Sequence, residues 1–205
     1  MQYNYEYHID DIPNNLELKG DLAIDTEAMG LNNHRDRLCM IQLADELKKI
    51  HLVHFKNRDF NAPNLTKVLT DASRVKIFHY ARFDLAIIQK YLKIEMKEVF
   101  CTKIASKLCR TYTQYHSLME LCSEYIEVKI SKQQQCSDWG SSNLTKKQLN
   151  YAAQDVRYLH EIRDKLTSIL LREGKKEIAT QCFDFLPVKS KLDLLGWANE
   201  DIFAH

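Results

Sequence analysis

Between residues 21 and 55 the chain carries three strand-like runs, DLAIDTEAM, LCMIQLAD and KIHLVHF. Gly30-Leu31-Asn32-Asn33 and Asp45-Glu46-Leu47-Lys48 read as the turns between them. Parallel neighbours need a crossover of a dozen or more residues, usually a helix. These gaps leave no room for one, so the three runs predict an antiparallel meander. Every other element has to be laid against it.

The rest of the chain supplies the layers. Pro63 to Ala72 reads as a short helix capped by Asn61 or a neighbour, and VKIFHY at 75 to 80 as a buried strand leading into the helix ARFDLAIIQKYL. VFCTKIASKLC and SLMELCSEYI add strand and helix pieces, and KISKQQQCSDWGSSN is a polar loop. Leu144 to Leu171 reads as one long helix. Thr145 and Gln148 form a capping box, and Ala152, Val156, Leu159, Ile162, Leu166 and Ile169 recur as an apolar stripe. This pattern predicts an α/β domain, a mixed sheet flanked by helices.

At 205 residues, 45% hydrophobic, with few Gly and Pro and no internal repeat, the chain suits one compact domain over 1–205. Residues 187 to about 205 are an apolar tail. Leu192, Leu194, Leu195, Trp197, Ile202 and Phe203 are expected to pack on the core or on a neighbouring subunit. No apolar run approaches the ~20 residues of a membrane span, and MQYNYEYHIDD lacks the pattern of a signal peptide. Six scattered cysteines without a CxxC pair fit reduced thiols in the cytoplasm. A net charge of +1 is not that of a protein coating long nucleic acid. It favours a short substrate or a locally basic cleft.

The chemistry lies in the acids. Asp25 and Glu27 close the first run, and positions i and i+2 of a strand share a side. Asp84 opens a helix directly after a buried strand. Stepping ~100° per residue, Asp155 falls inside the apolar stripe of the long helix, with Tyr151 one turn earlier. Singly these are commonplace: a DxE arises by chance, and an acid in a helix's first turn compensates the dipole. Together, four converging carboxylates repel one another unless cations intervene. Oxygen ligands select Mg²⁺ or Mn²⁺, and two such ions ~3.5–4 Å apart clamp the attacking and leaving oxygens of a phosphoryl displacement.

The ordered set DTE, then H-x-A-x-F-D, then Y-x-x-x-D resembles the DEDD 3′→5′ exonucleases of the DEDDy branch, the RNase D type. Lys132, Gln135, Ser137, Asp138 and Trp139 match that group's K-x-x-Q-x-S-D-W run. The compact size and the ending LDLLGW…DIFAH are similar to the short nano-RNase C oligoribonucleases. One departure is Cys101-Thr102, where many relatives have Asp-Thr.

The resemblance implies a ribonuclease-H-like fold and a two-metal 3′→5′ exoribonuclease releasing nucleoside 5′-monophosphates. It implies that Asp25 bridges both ions, that Glu27 and Asp155 complete the site of the ion that activates water, and that Asp84 holds the second. Tyr151 would orient the attacking water. Met29 and Leu31 become wedges against the terminal base, and His79 and Arg82 phosphate contacts. Lys132, Gln135 and Trp139 are substrate contacts or loop anchors. The expected substrate is single-stranded RNA of two to a few nucleotides, and the expected assembly a homo-oligomer such as a ring-like octamer. Trimming of structured RNA and an idle nucleic-acid-binding module are the alternatives.

Overall fold

A computed structural model describes residues 2–205; Met1, the first residue of the N-terminal stretch, lies outside them. The chain runs β1 (Glu6–Ile9), β2 (Leu22–Ala28), β3 (Leu38–Ala44), β4 (Ile50–His54), α1 (Pro63–Leu69), β5 (Lys76–Phe78), α2 (Ala81–Leu92), β6 (Val99–Cys101), α3 (Thr102–Cys109), α4 (Leu118–Ile126), α5 (Lys146–Arg157), α6 (Leu159–Arg172) and α7 (Lys176–Leu192). β2, β3 and β4 form the expected antiparallel meander. β5 adds parallel to β2 and β6 parallel to β5, while β1 closes the other side parallel to β4. The sheet order is β1-β4-β3-β2-β5-β6. This is the mixed sheet flanked by helices expected of the ribonuclease-H-like α/β class.

Strand alternation divides the core in two. Ala23, Met40 and Ala44 face Ala152, Ala153 and Val156 of α5 and the ring of Trp139. Leu22, Ile24, Ile41 and Leu43 face the opposite layer, with Leu85 and Ile88 of α2 and Ile162 and Leu166 of α6. That split explains the first correction: the stretch from Leu144 to Leu171 is two helices. Tyr158 leaves helical geometry (φ −114°, ψ −2°) between α5 and α6. α5 serves one face of the sheet and the lower turns of α6 serve the core on the other, which a straight rod cannot do. The Tyr158 ring meets Tyr3 edge-on at 6.2 Å, and the two hydroxyls are 3.2 Å apart.

Two further expectations are refined. The N-cap of α1 is Ala62, the neighbour of Asn61, but its side chain has no acceptor to offer. The Asp11 carboxylate accepts from the backbone N–H groups of Asn64 (3.0 Å) and Leu65 (2.8 Å). The apolar tail does not start at residue 187, because Pro187 sits inside α7. Beyond that helix a wide turn, Asp193–Trp197, closes over α2, with Asp193 buried. Leu195 and Phe203 stay 71% and 77% exposed, so much of the tail's apolar surface is not packed on its own core. Among the described residues no helix is long and apolar enough to cross a membrane, and all six cysteines are free.

Candidate active site

The site forms where β2 ends. Asp25 pairs with Gln42 and Glu27 with Met40 across β3, so both acids share the face that α5 covers. The capping box of Thr145 and Gln148 fixes the start of α5, and this helix delivers Tyr151 and Asp155 to the same point. One ligand oxygen each from Asp25, Glu27 and Asp155 lie within 4.8 Å of one another. Asp84 arrives from the other layer. Tyr80, in the left-handed region at φ 74°, turns the chain from β5 into α2 and leaves Asp84 in that helix's first turn. A side chain there costs about 1–2 kcal/mol, a strain of the kind that clusters at functional sites. Asp84 is buried and accepts a 2.6 Å hydrogen bond from Thr26, the β2 residue that points to the α2 side between Asp25 and Glu27.

Burial and mutual repulsion dominate the electrostatics. Burial raises the Asp25 carboxyl to about 7. Glu27 is raised well above its ordinary value by burial and then by Asp25, Asp155 and Asp84. Asp84 and Asp155 are raised by burial and by Asp25; hydrogen bonds from Thr26, and from Tyr151 and Gln154, oppose the shift. The charged groups that shift these acids are one another, with no Lys or Arg among them. A buried all-oxygen donor set of this kind fits hard divalent cations, Mg²⁺ or Mn²⁺, whose charge would relieve the repulsion. The Tyr151 phenol is pushed far up by burial, Asp155, Glu27 and Asp25, so it stays protonated. It can orient a water but cannot act as a base.

The carboxylates line a cleft of ≈ 580 Å³. Met29 and Leu31, 59% and 88% exposed, stand on its wall as apolar faces. Lys132 and Gln135 line it from the polar loop. Trp139 also borders it but is 2% exposed and lies 6.2 Å from the Tyr151 ring, so it braces Tyr151 and anchors the loop. His79 is on the wall, yet it is not a cation: burial, with Lys103 and Lys132 nearby, lowers its pKa to about 3. Thr102 donates to the Phe78 carbonyl, which assigns the shared proton of the 2.9 Å His79–Thr102 contact to His79 Nδ1. His79 Nε2 is thereby left an acceptor, suited to a nucleotide O–H or N–H and not to a phosphate.

Arg82, expected as a phosphate contact, does not line the cleft. Its guanidinium is paired with Asp193 and with the Ala198 carbonyl, outside the cleft. The cation that does reach the cleft besides Lys132 is Lys103, 4.2 Å over the Tyr80 ring. Nothing in its spacing separates Lys103 from other surface lysines on helices, so the sequence carried no signal for it. Cys101, at the position of the family departure, is buried in the core and is not one of the converging acids. Gln42 also escaped notice: it is fully buried opposite Asp25, and neither amide atom has a hydrogen-bond partner.

A family model described as 3′-5′ exonuclease matches residues 6–171. DNA polymerase I of Aquifex aeolicus is 30% identical over 187 residues, 89% of this chain and 30% of that protein. Ribonuclease D of Desulfotalea psychrophila is 30% identical over 77% of this chain and 42% of that protein. The chain therefore spans less than half the length of these curated relatives. Among solved structures, Brucella melitensis NrnC bound to pGG is 48% identical, with a TM-score of 0.94 and 98% of each chain covered. NrnC with bound Mg²⁺ is 47% identical at the same TM-score, covering 99% of this chain and all of that one. With the four carboxylates gathered at the end of β2 and the matched span running from β1 into α6, this chain belongs to the 3′-5′ exonuclease family and is similar to both ribonuclease D and NrnC.

Proposed function

We propose that the protein is a two-metal 3′→5′ exoribonuclease that hydrolyses RNA of two to a few nucleotides to nucleoside 5′-monophosphates. The observation that carries this reading is the cluster of Asp25, Glu27, Asp84 and Asp155 inside a cleft rimmed by exposed apolar side chains. Asp25, Glu27 and Asp155 would hold one cation, and Asp84, which meets the same cluster from α2, would hold the other. When bound, Mg²⁺ or Mn²⁺ lowers the pKa of the attacking water and offsets charge on the leaving oxygen. Tyr151, held against Asp155 and braced by Trp139, orients that water toward phosphorus. The bond from phosphorus to the 3′ oxygen of the preceding nucleotide breaks, so the phosphate leaves on the 5′ side of the terminal nucleotide.

The short substrate is supported by the cleft volume, which lies within the range of about 300–1,000 Å³ typical of small-ligand pockets. A relative matching nearly the whole chain binds pGG, which agrees. Met29 and Leu31 supply faces on which any terminal base can stack, and Lys103, Lys132 and Gln135 the polar contacts. Six free thiols suit a cytoplasmic protein. The exposed Leu195, Trp197 and Phe203 support a homo-oligomer, with a ring-like octamer as the arrangement proposed; light scattering from a stable, active monomer would contradict it. The substrate test compares turnover of a dinucleotide with that of a 3′-extended hairpin. Preference for the hairpin would favour 3′-end trimming, and inertness toward both would favour an idle binding module.

A further inference from the structure

At the far edge of the sheet, away from the carboxylates, β1 lies parallel to β4 with Glu6 opposite His51 and His8 opposite Val53. That register and the two-residue strand period put Glu6, His8 and His51 on one face. His8 Nε2 is 3.1 Å from His51 Nδ1, and Glu6 Oε2 is 3.7 Å from the same nitrogen. One ligand atom from each residue lies within 4.8 Å of the others. Three ligands at tetrahedral corners around Zn²⁺, each at ~2.0–2.1 Å, stand roughly 3.3 Å from one another. The two separations to His51 Nδ1, 3.1 and 3.7 Å, lie on either side of that value.

From this geometry we infer that Glu6, His8 and His51 form a second metal site, specific for a borderline divalent ion such as Zn²⁺ or Co²⁺. Two imidazoles and one carboxylate are a donor set for zinc, cobalt or nickel, whereas the all-oxygen cluster selects Mg²⁺ or Mn²⁺. The chain thus sorts two classes of cation between two ends of one sheet. At the 3.1 Å contact one of the two facing nitrogens carries a proton, and ligation by both rings moves that proton to the other nitrogen of its ring. His51 is 1% exposed and its Nε2 has no hydrogen-bond partner, so the ring's polar interactions all run through Nδ1. The Glu6 side chain is 66% exposed, which leaves an entry path and an open coordination position for water. A metal here would staple the edge strand β1, whose Tyr7 and Ile9 stay 39% and 49% exposed, onto the buried β4.

The test is equilibrium dialysis of the full chain against Zn²⁺ in a large excess of Mg²⁺, for wild type, His8→Gln and Glu6→Gln. Both variants alter residues that are not fully buried and lie far from the catalytic carboxylates. Wild type should retain one Zn²⁺ per chain beyond the pool displaced by Mg²⁺. His8→Gln should lose that equivalent or bind it on the order of tenfold or more weakly. Co²⁺ in its place should give the intense visible bands of a four-coordinate nitrogen-ligated ion, absent in His8→Gln, and hydrolytic turnover in Mg²⁺ should not change. Equal Zn²⁺ retention and equal Co²⁺ spectra in all three proteins, or no retained equivalent in wild type, would overturn the assignment.

Discussion

Tyr151→Phe keeps the ring packed on Trp139 and removes only the hydroxyl beside Asp155. Turnover should fall on the order of a hundredfold or more, while the Mg²⁺-induced rise in melting temperature persists, because no ligand is lost. Loss of both would make Tyr151 structural. Arg82→Met should behave in the opposite way. It leaves Asp193 buried with Lys189, 3.0 Å away, as its remaining cation, so about 1–3 kcal/mol of stability should disappear in urea unfolding. Turnover per folded molecule should hold. The difference between these residues shows what a sequence can carry. Asp155 and Tyr151 were legible because helical periodicity places an acid in an apolar seam, a local conflict that demands a partner. Arg82 looked like a phosphate ligand beside Asp84, but its partner lies 111 positions away on a turn with no periodic pattern. His79 was legible in place but not in protonation, which depends on Thr102 and on burial.

Among the elements, strands and helices with a strong pattern came through: the meander, the β5–α2 step and the Thr145–Gln148 capping box. β1 did not, because EYHI is only four residues long and its alternating Tyr7 and Ile9 stay 39% and 49% exposed at the sheet edge, so the run is too short and too open to mark a strand. α5 and α6 merged into one helix because the apolar stripe runs across Tyr158 unbroken, and only the two faces of the sheet distinguish its halves. The cap of α1 illustrates the same limit, since its acceptor comes from the N-terminal segment. Asp11→Ala removes two capping hydrogen bonds and should cost about 1–2 kcal/mol. Asn61→Ala should be near neutral. Equal urea midpoints for the two variants would contradict the assignment.

For the whole molecule, the buried carboxylates tie folding to pH and metal. Asp25 ordinarily titrates near 3.8 but is raised to about 7 in the folded chain, and its three neighbours shift the same way. Between those values the metal-free folded state binds more protons than the unfolded one, so stability falls as pH rises. In chelator the melting temperature should therefore drop from pH 5 to pH 8. Saturating Mg²⁺ or Mn²⁺ binds only the folded, ionised cluster and should raise it most at the upper end. A melting curve indifferent to metal at pH 8 would remove the basis for a cation site.

The most direct test of the central claim is hydrolysis of 5′-labelled RNAs from two to ten nucleotides in Mg²⁺, wild type beside Asp155→Asn. The carboxylate centre and the small cleft predict that the dinucleotide is cut fastest, that nucleoside 5′-monophosphates are released, and that the variant folds but loses nearly all turnover. Equal or faster loss of the longer strands, or an Asp155→Asn protein that remains active, would contradict the account.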